Sequence, residues 1–372
     1  MKFDLKFFPS LLRRYDFSFF GVSTLIFIIG ILNLYSVTNT STLSNHTGLY
    51  KTQIAYFLIS IFAGAVVSLI DFKTIYRYSY WFYFFNIALL VLVLILGDVG
   101  MGARRWLVVG PIRLQPSELM KISVVLALAR WFTRNNPDRE MGFKDVFFPF
   151  MIALLPAFLI VVEPDLGTGL LILLIFFVIA FYRSLKWKTI IVIGLISLAS
   201  GTLMYNFGLK EYQKRRITTF LNPDQDARGS GYNAIQSKIS IGSGKIFGKG
   251  YMKSSQASLN YLPENHTDFV FSVFNEEHGF LGAGLLIFLY LSLFYRLIWL
   301  SQSVGKVFQS ISAIGIMSIY FWHTFINMGM VMGILPIVGL PLPLMSYGGS
   351  SLLTFGIACG LATSISNSRN LF

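Results

Sequence analysis

Long apolar segments dominate this chain, separated by short polar connections. A helix that crosses a membrane needs about 20 mostly apolar residues. Ten stretches approach that requirement: roughly 16–37, 50–70, 76–97, 116–133, 146–163, 167–182, 187–207, 269–299, 308–333 and 346–366. Between the seventh and eighth, the pattern changes to a polar stretch, 208–267, rich in turn formers such as Asn222-Pro223-Asp224 and Gly229-Ser230-Gly231. Within it, Ile235, Ile239 and Ile241 are spaced for a short surface-lying helix over 230–242, followed by a glycine-rich turn and an extended approach to the helix that begins near Asp268. The expected fold is all-α: one polytopic membrane domain over 1–372, with about ten transmembrane helices and a large extracytoplasmic loop between helices 7 and 8. The first apolar run is too long for the core of a signal peptide and lacks a small-residue cleavage site.

Composition sharpens this reading. Of 372 residues, 55% are hydrophobic and 13% charged, and the mean hydropathy is +0.65. Soluble domains run about 45–50% apolar and about 25% charged, so these charges are too few to cover a water-exposed surface. A soluble enzyme, a disordered chain and an ordinary nucleic-acid-binding domain are excluded. The single cysteine, Cys359, forms no internal disulfide and no metal site by itself.

Charge also sets an orientation. Sixteen Lys and Arg fall on one set of connections (Lys2, Lys6, Arg13, Arg14, Lys73, Arg77, Arg130, Arg134, Arg139, Lys144, Arg183, Lys186, Lys188, Arg296, Lys306, Arg369), whereas the other short connections carry four: Lys51, Arg104, Arg105 and Arg113. Cytoplasmic loops are enriched in Lys and Arg, so both termini are expected in the cytoplasm. The 208–267 stretch then faces outward although it holds nine cations, among them Arg216, Lys238, Lys245, Lys249 and Lys253. It is either a solvated loop or a surface for a phosphate-bearing ligand.

Several motifs carry possible chemistry. Gly242-Ser243-Gly244-Lys245-Ile246-Phe247-Gly248-Lys249-Gly250 looks like a phosphate loop, but its spacing departs from G-x-x-x-x-G-K-[ST] and no strand precedes it. An ATPase is therefore not expected, although its glycine N–H groups and two lysines remain a candidate phosphate cradle. His46, His266, His278 and His323 lack metal-ligand spacing. Three Asn-x-Ser/Thr matches begin at Asn39, Asn45 and Asn265 and carry little weight. Ionisable groups near membrane depth say more. Glu118 and Lys121 share a face of the fourth span, as a helix-end ion pair or as a pair lining a cavity. Asp165 is either the cap of the sixth span or a site residue. Asp268 begins a long apolar helix, but Thr267 is a spare capping candidate, which frees Asp268 for chemistry. The small residues of Ser346-Tyr347-Gly348-Gly349-Ser350 permit close helix packing or bind ligand.

Four stretches carry a resemblance: Gly102-Ala103-Arg104-Arg105-Trp106 with Gln115-Pro116-Ser117-Glu118 and Lys121; Glu163-Pro164-Asp165-Leu166-Gly167-Thr168; Gln236-Ser237-Lys238 through Gly250 to Leu262-Pro263-Glu264-Asn265-His266-Thr267-Asp268-Phe269; and Gly339-Leu340-Pro341-Leu342-Pro343 with Ser346-Tyr347-Gly348-Gly349-Ser350. In these the chain resembles the SEDS family (shape, elongation, division and sporulation) of bacterial cell-wall glycosyltransferases, and is most similar to its elongation branch rather than its division branch. Ile246-Phe247 departs from the family, which more often has a second glycine there.

The resemblance implies an inverting peptidoglycan polymerase, active at the outer face of the cytoplasmic (inner) membrane, that joins lipid II units with release of undecaprenyl pyrophosphate for cell elongation. It implies Asp268 as the general base. Arg104, Arg105, Lys238, Lys245 and Lys249 would neutralise the pyrophosphate, and Glu118 and Lys121 would orient the sugar or tune the charge of Asp268. Asp165 would support the site, and Ser346 would lie among the substrate-binding residues. Magnesium or another divalent cation would bridge pyrophosphate to carboxylates, although no dedicated cage is evident. No nucleotide is implied. The expected partners are lipid II, the nascent glycan strand, a separate class B penicillin-binding protein that cross-links it, and the elongation machinery. The alternatives are a lipid II flippase, which would line a path through the membrane centre, and a noncatalytic scaffold, which would leave the carboxylates idle. The acids Glu118, Asp165 and Asp268 all lie towards the outer span ends, which favours surface chemistry over translocation.

Overall fold

The computed structural model describes residues 17–40, 48–100, 103–110, 112–135, 140–203, 206, 208, 211–223, 229–259 and 261–369. The cations at 2–14, together with Arg139, Lys210 and Arg228, the sequons' Asn45 and His46, and Gly102 and Asp224 lie outside them.

Among the described residues, the long helices are α1 (Phe17–Thr40), α2 (Leu49–Ser68), α3 (Phe72–Leu96), α4 (Pro116–Arg134), α5 (Phe143–Val162), α6 (Leu166–Tyr182), α7 (Trp187–Leu203), α11 (Val270–Ser303), α12 (Val307–Val331) and α13 (Gly349–Arg369). These are the ten expected spans, with ends shifted by a few residues. Seven are long and apolar enough to cross a membrane by themselves. The others are α6 and α7, at 17 residues each, and α4, which carries Glu118, Lys121, Arg130 and Arg134 and is held by burial among other helices. The chain is an all-α polytopic membrane protein.

Local chemistry sets the helix ends. The Asp71 carboxylate accepts from the Lys73 N–H at 3.4 Å and starts α3. Pro116 occupies the first turn of α4, where no backbone donor is needed. α12 lies at the centre, packed on α4, α6 and α11; Gly315 lets it approach Val125, which a Cβ would meet at 2.3 Å. α2 packs on α13 through Ser60, Gly64, Gly356 and Gly360. A Cβ on Gly360 would lie 2.2 Å from the Gly64 carbonyl, so backbone meets backbone. The opposite surface of α2 exposes Leu58, Ile59 and Phe62.

The connections differ more from expectation. A small three-stranded sheet, β1 (Asp98–Gly100), β2 (Ala103–Val109) and β3 (Ile112–Leu114), fills the link between α3 and α4. Its strands are too short for their alternation to register beside the apolar spans. The 208–267 stretch holds α8 (Glu211–Leu221), α9 (Ser230–Ser243) and the single turn α10 (Ser255–Ser258). α9 forms where the isoleucine spacing places it and keeps Lys238 and Ile239 exposed, but it buries its serines rather than its isoleucines. Ser237 and Ser240 are buried and bond to Ser272, with Ser237 also donating to the Val331 carbonyl at 2.7 Å. α11 is two helical pieces, because Gly279 (φ 63°, ψ −162°) interrupts it.

The glycine-rich run finds its explanation here. A Cβ on Gly244 would lie 2.1 Å from the Asn275 carbonyl, and one on Gly248 (φ 80°) 2.1 Å from the Glu277 carbonyl. These glycines let the turn lie directly on the α11 backbone. The N–H groups of Gly248, Lys249 and Gly250 donate to the carbonyls of Gly244, Glu276 and Glu277. They are unavailable to a phosphate, and the cradle reading is corrected accordingly.

Candidate active site

Asp268 sits at the end of a series of turns over 262–269, and its backbone is fixed from two sides. The Ser346 hydroxyl donates to the Thr267 carbonyl at 2.6 Å, the Tyr347 N–H to the His266 carbonyl at 2.9 Å, and Asn327 Nδ2 to the carbonyls of Asp268 (2.9 Å) and Leu340 (2.7 Å). Phe269, not Asp268, occupies the cap position of α11, and no side chain caps that helix. Thr267 does not cap it either: its hydroxyl turns back to Glu264 at 3.0 Å. Among the described residues nothing donates to the Asp268 carboxylate, which is partly exposed. Facing it is Gly339 (φ 81°), where a Cβ would lie 3.3 Å from Asp268 Oδ2. Glycine therefore serves both the backbone angle and the space in front of the carboxylate.

Burial pushes the Asp268 carboxyl up to about 6, Glu264 and Asp165 push the same way, and Arg216 and Arg105 oppose them. The two arginines come from distant elements. Arg105, on β2, donates from Nε to the Glu163 carbonyl at 3.4 Å and from its terminal nitrogen to the Pro164 carbonyl. Arg216, on α8, donates to the Val338 carbonyl at 3.2 Å, beside Gly339. Arg216 and Lys238 together line a shallow indentation of about 20 Å³, open on one side, with Phe220, Gly333, Leu335 and Ile337.

The other expected residues separate by environment. Asp165 caps α6, accepting from the Thr168 N–H at 3.2 Å and its hydroxyl at 3.0 Å, and also from Gln115 Nε2 at 3.4 Å. Its neighbour Glu163 is buried, with neither oxygen bonded among the described residues. Burial, then Asp165, raise its carboxyl to about 8, against the pull of Arg105. Arg104 is exposed on β2. Ser346 is buried, and its hydroxyl both donates to Thr267 and accepts from the Leu342 N–H at 2.8 Å. It holds the Asp268 turn to the 339–347 segment and has no lone hydrogen to offer a ligand.

Glu118 and Lys121 form a buried pair, 2.8 Å apart, with 5% and 0% side-chain exposure. Lys121 also donates to His323 Nε2 at 2.7 Å, which leaves His323 Nδ1 as the donor to the Pro341 carbonyl at 3.2 Å. The triad thus braces the same 339–347 segment that faces Asp268. A surface ion pair is excluded.

Lys245 and Lys249 lie against 276–281, beside the far end of the first helical piece of α11. Lys249 is bound to Glu276 at 2.5 Å. That buried carboxylate also accepts from Ser240, Ser254, the Ser255 N–H and hydroxyl, and the Gln256 N–H. It organises the whole 240–256 turn. Lys249 is its counter-ion, not a free phosphate ligand.

Sequence reasoning missed Glu276, Glu277, Glu163 and the pairing of His323. Glu276-Glu277 inside an apolar helix was a usable signal, since buried acids need partners. Arg216 was one loop cation among nine, and only the fold sets it apart.

A family model for FtsW, RodA and SpoVE, described as cell cycle protein, matches residues 16–371. The chain belongs to this FtsW/RodA/SpoVE family. It is 40% identical over 275 residues to the peptidoglycan glycosyltransferase MrdB of Escherichia coli K12, covering 74% of each chain. To stage V sporulation protein E of Bacillus subtilis it is 34% identical, over 93% of this chain and 95% of that one. Among solved structures, a chain from work on the structural coordination of polymerization and crosslinking by a peptidoglycan synthase complex superposes with a TM-score of 0.82 at 29% identity, covering 96% and 99% of the two chains. The rod shape determining protein RodA of Thermus thermophilus gives 0.72 at 28%, covering 96% and 98%. Relatives named FtsW match at 34% and 32% identity, so this member of the FtsW/RodA/SpoVE family is RodA-like.

Proposed function

We infer that this chain is a peptidoglycan glycosyltransferase that polymerises lipid II. The observation that carries the reading is the Asp268 carboxylate, which accepts no hydrogen bond among the described residues, is held by its backbone and lies within electrostatic reach of Arg105 and Arg216 at one end of a membrane bundle. The family relatives named for this activity support it. The lipid II acceptor presents its GlcNAc 4-hydroxyl to Asp268. As that oxygen attacks the MurNAc anomeric carbon of the donor strand, the proton passes to the carboxylate and the bond to pyrophosphate breaks on the opposite face. Attack from that side inverts the α-linked donor to a β-1,4 bond. A carboxylate with pKa about 6 is ionised at neutral pH yet basic enough to assist. Pyrophosphate needs charge neutralisation more than a proton; Arg216, within electrostatic reach of Asp268, offers it, with Lys238 on the same indentation as Arg216.

Among the described residues, no three His, Cys, Asp or Glu side chains converge to hold a metal ion. Arg105 and Asp165 hold the neighbouring turn, and the Glu118–Lys121–His323 triad holds the 339–347 segment. Lys249 and Ser346 act on the scaffold rather than on substrate, and the Lys245 side chain is exposed on the 244–252 turn. Charge bias supports cytoplasmic termini and an Asp268 face outside the inner membrane. A class B penicillin-binding protein is the partner proposed for cross-linking, in keeping with the synthase complex that the fold resembles.

The flippase reading is disfavoured because Arg105, Arg216 and Asp268 gather at one end of the bundle. The decisive experiment is to incubate purified protein with labelled lipid II, with and without the partner, and analyse for glycan polymer. Polymer supports the reading; lipid II that crosses vesicles unpolymerised rejects it.

A further inference from the structure

The turn at 244–252 contributes no group to the site, yet it is rigidly mounted. Glu276 fixes it from within, and Phe280 and Leu281 donate their N–H groups to the carbonyls of Lys245 (2.8 Å) and Ile246 (3.1 Å). At its tip, Ile246 and Phe247 are 57% and 78% exposed. They lie beside the start of the second piece of α11, residues 280–303. At about 1.5 Å per residue that piece is roughly 36 Å long, against a hydrocarbon layer of about 30 Å, so its first turn falls at the layer's edge. Its exposed apolar residues, Phe280, Leu281, Leu285 and Phe288, begin where its backbone bonds to the turn that carries exposed Ile246 and Phe247. On the other side of the turn, Tyr251 donates to the Leu32 carbonyl of α1 at 3.0 Å, where Ile28 and Leu32 are exposed in turn. The tip therefore joins two lipid-facing surfaces. Exposed Lys245 and Lys253 flank it, an arrangement suited to anionic headgroups above apolar chains.

We propose that Ile246 and Phe247 insert into the edge of the membrane's hydrocarbon layer, with Lys245 and Lys253 on the phosphates of anionic lipids. The insertion fixes the 240–256 turn, and with it the first piece of α11, at one depth.

The single cysteine makes this testable. In a Cys359→Ser background, Phe247→Cys is labelled with an environment-sensitive fluorophore in nanodiscs of phosphatidylcholine with phosphatidylglycerol. The exposed position Asn222→Cys serves as the control. The label at 247 should emit as in apolar surroundings and be quenched by brominated acyl chains, while the label at 222 stays water-like. Adding Lys245→Gln and Lys253→Gln should weaken quenching at 247 in discs containing phosphatidylglycerol. A water-like, unquenched label at 247, or one shielded only after a second protein is added, overturns the proposal. No glycan synthesis is read, so the outcome is independent of the catalytic assignment.

Discussion

Replacing Lys121 by methionine removes the cation bonded to Glu118 among the described residues while nearly preserving side-chain volume. The pair is 2.8 Å long and almost wholly excluded from solvent. Glu118 Oε2 already lacks a partner among the described residues, so the variant strands the entire carboxylate and leaves His323 Nε2 without its donor. Breaking a buried pair from one side typically costs about 3–5 kcal/mol, whereas neutralising both partners is often neutral or stabilising. A solvent-exposed pair would be worth at most about 1 kcal/mol. Thermal unfolding in detergent, read by loss of the monodisperse species, should therefore show a Tm several degrees lower for Lys121→Met and a recovery in the Glu118→Gln/Lys121→Met double variant. The double-variant cycle isolates the coupling between the two residues. Parental Tm in the single variant, or simple additivity in the double, would refute the buried-triad account. Polymerisation should stay impaired in the double variant, because His323 no longer holds the 339–347 segment through Lys121.

The Asp268 carboxyl, raised to about 6, should give polymerisation an acid limb that loses about tenfold per pH unit below 6. Arg216→Met removes a lowering influence and should move that limb to higher pH; an unmoved limb contradicts the assignment. Glu163, raised to about 8, is protonated in the folded protein at neutral pH. The stability that the raised pKa confers is complete below the ordinary carboxylate range and lost as pH rises through 8, so Glu163→Gln should become the more stable protein above pH 8 in parallel melts. Lys249→Met removes the counter-ion of buried Glu276 and should lower Tm well beyond Lys245→Met, whose exposed side chain is worth within about 0.5 kcal/mol; equal melts would show that the Glu276 cluster does not depend on its counter-ion.

The spans were legible because apolar length is a strong signal that packing rarely overrides, and Asp268, Glu118 and Lys121 stood out as charges at span ends. What the sequence does not display is which partner each charge finds. Lys249 and Arg216 look alike as loop cations, yet one neutralises Glu276 and the other faces Asp268, because α8 and the 244–252 turn pack against different parts of the bundle. The glycines of 242–250 read as a phosphate loop since close backbone approach and anion binding require the same residue. Asp165 shows the reverse case, in which a capping reading and a place beside the site are both true: it caps α6 and lies within electrostatic reach of Asp268. The small sheet over 98–114 escaped because strands of three to seven residues carry too little periodicity.

The central claim rests on the Asp268 carboxylate as proton acceptor. Asp268→Asn keeps size and shape, and since the side chain neither caps α11 nor accepts a hydrogen bond among the described residues, the Tm should be unchanged. Purified variant and parent are compared for glycan polymer formation from labelled lipid II, alongside lipid II binding. The account predicts a folded, lipid II-binding protein whose polymerisation rate is about 10²–10⁴-fold lower. Polymer made at near-parental rate by the purified variant would contradict it.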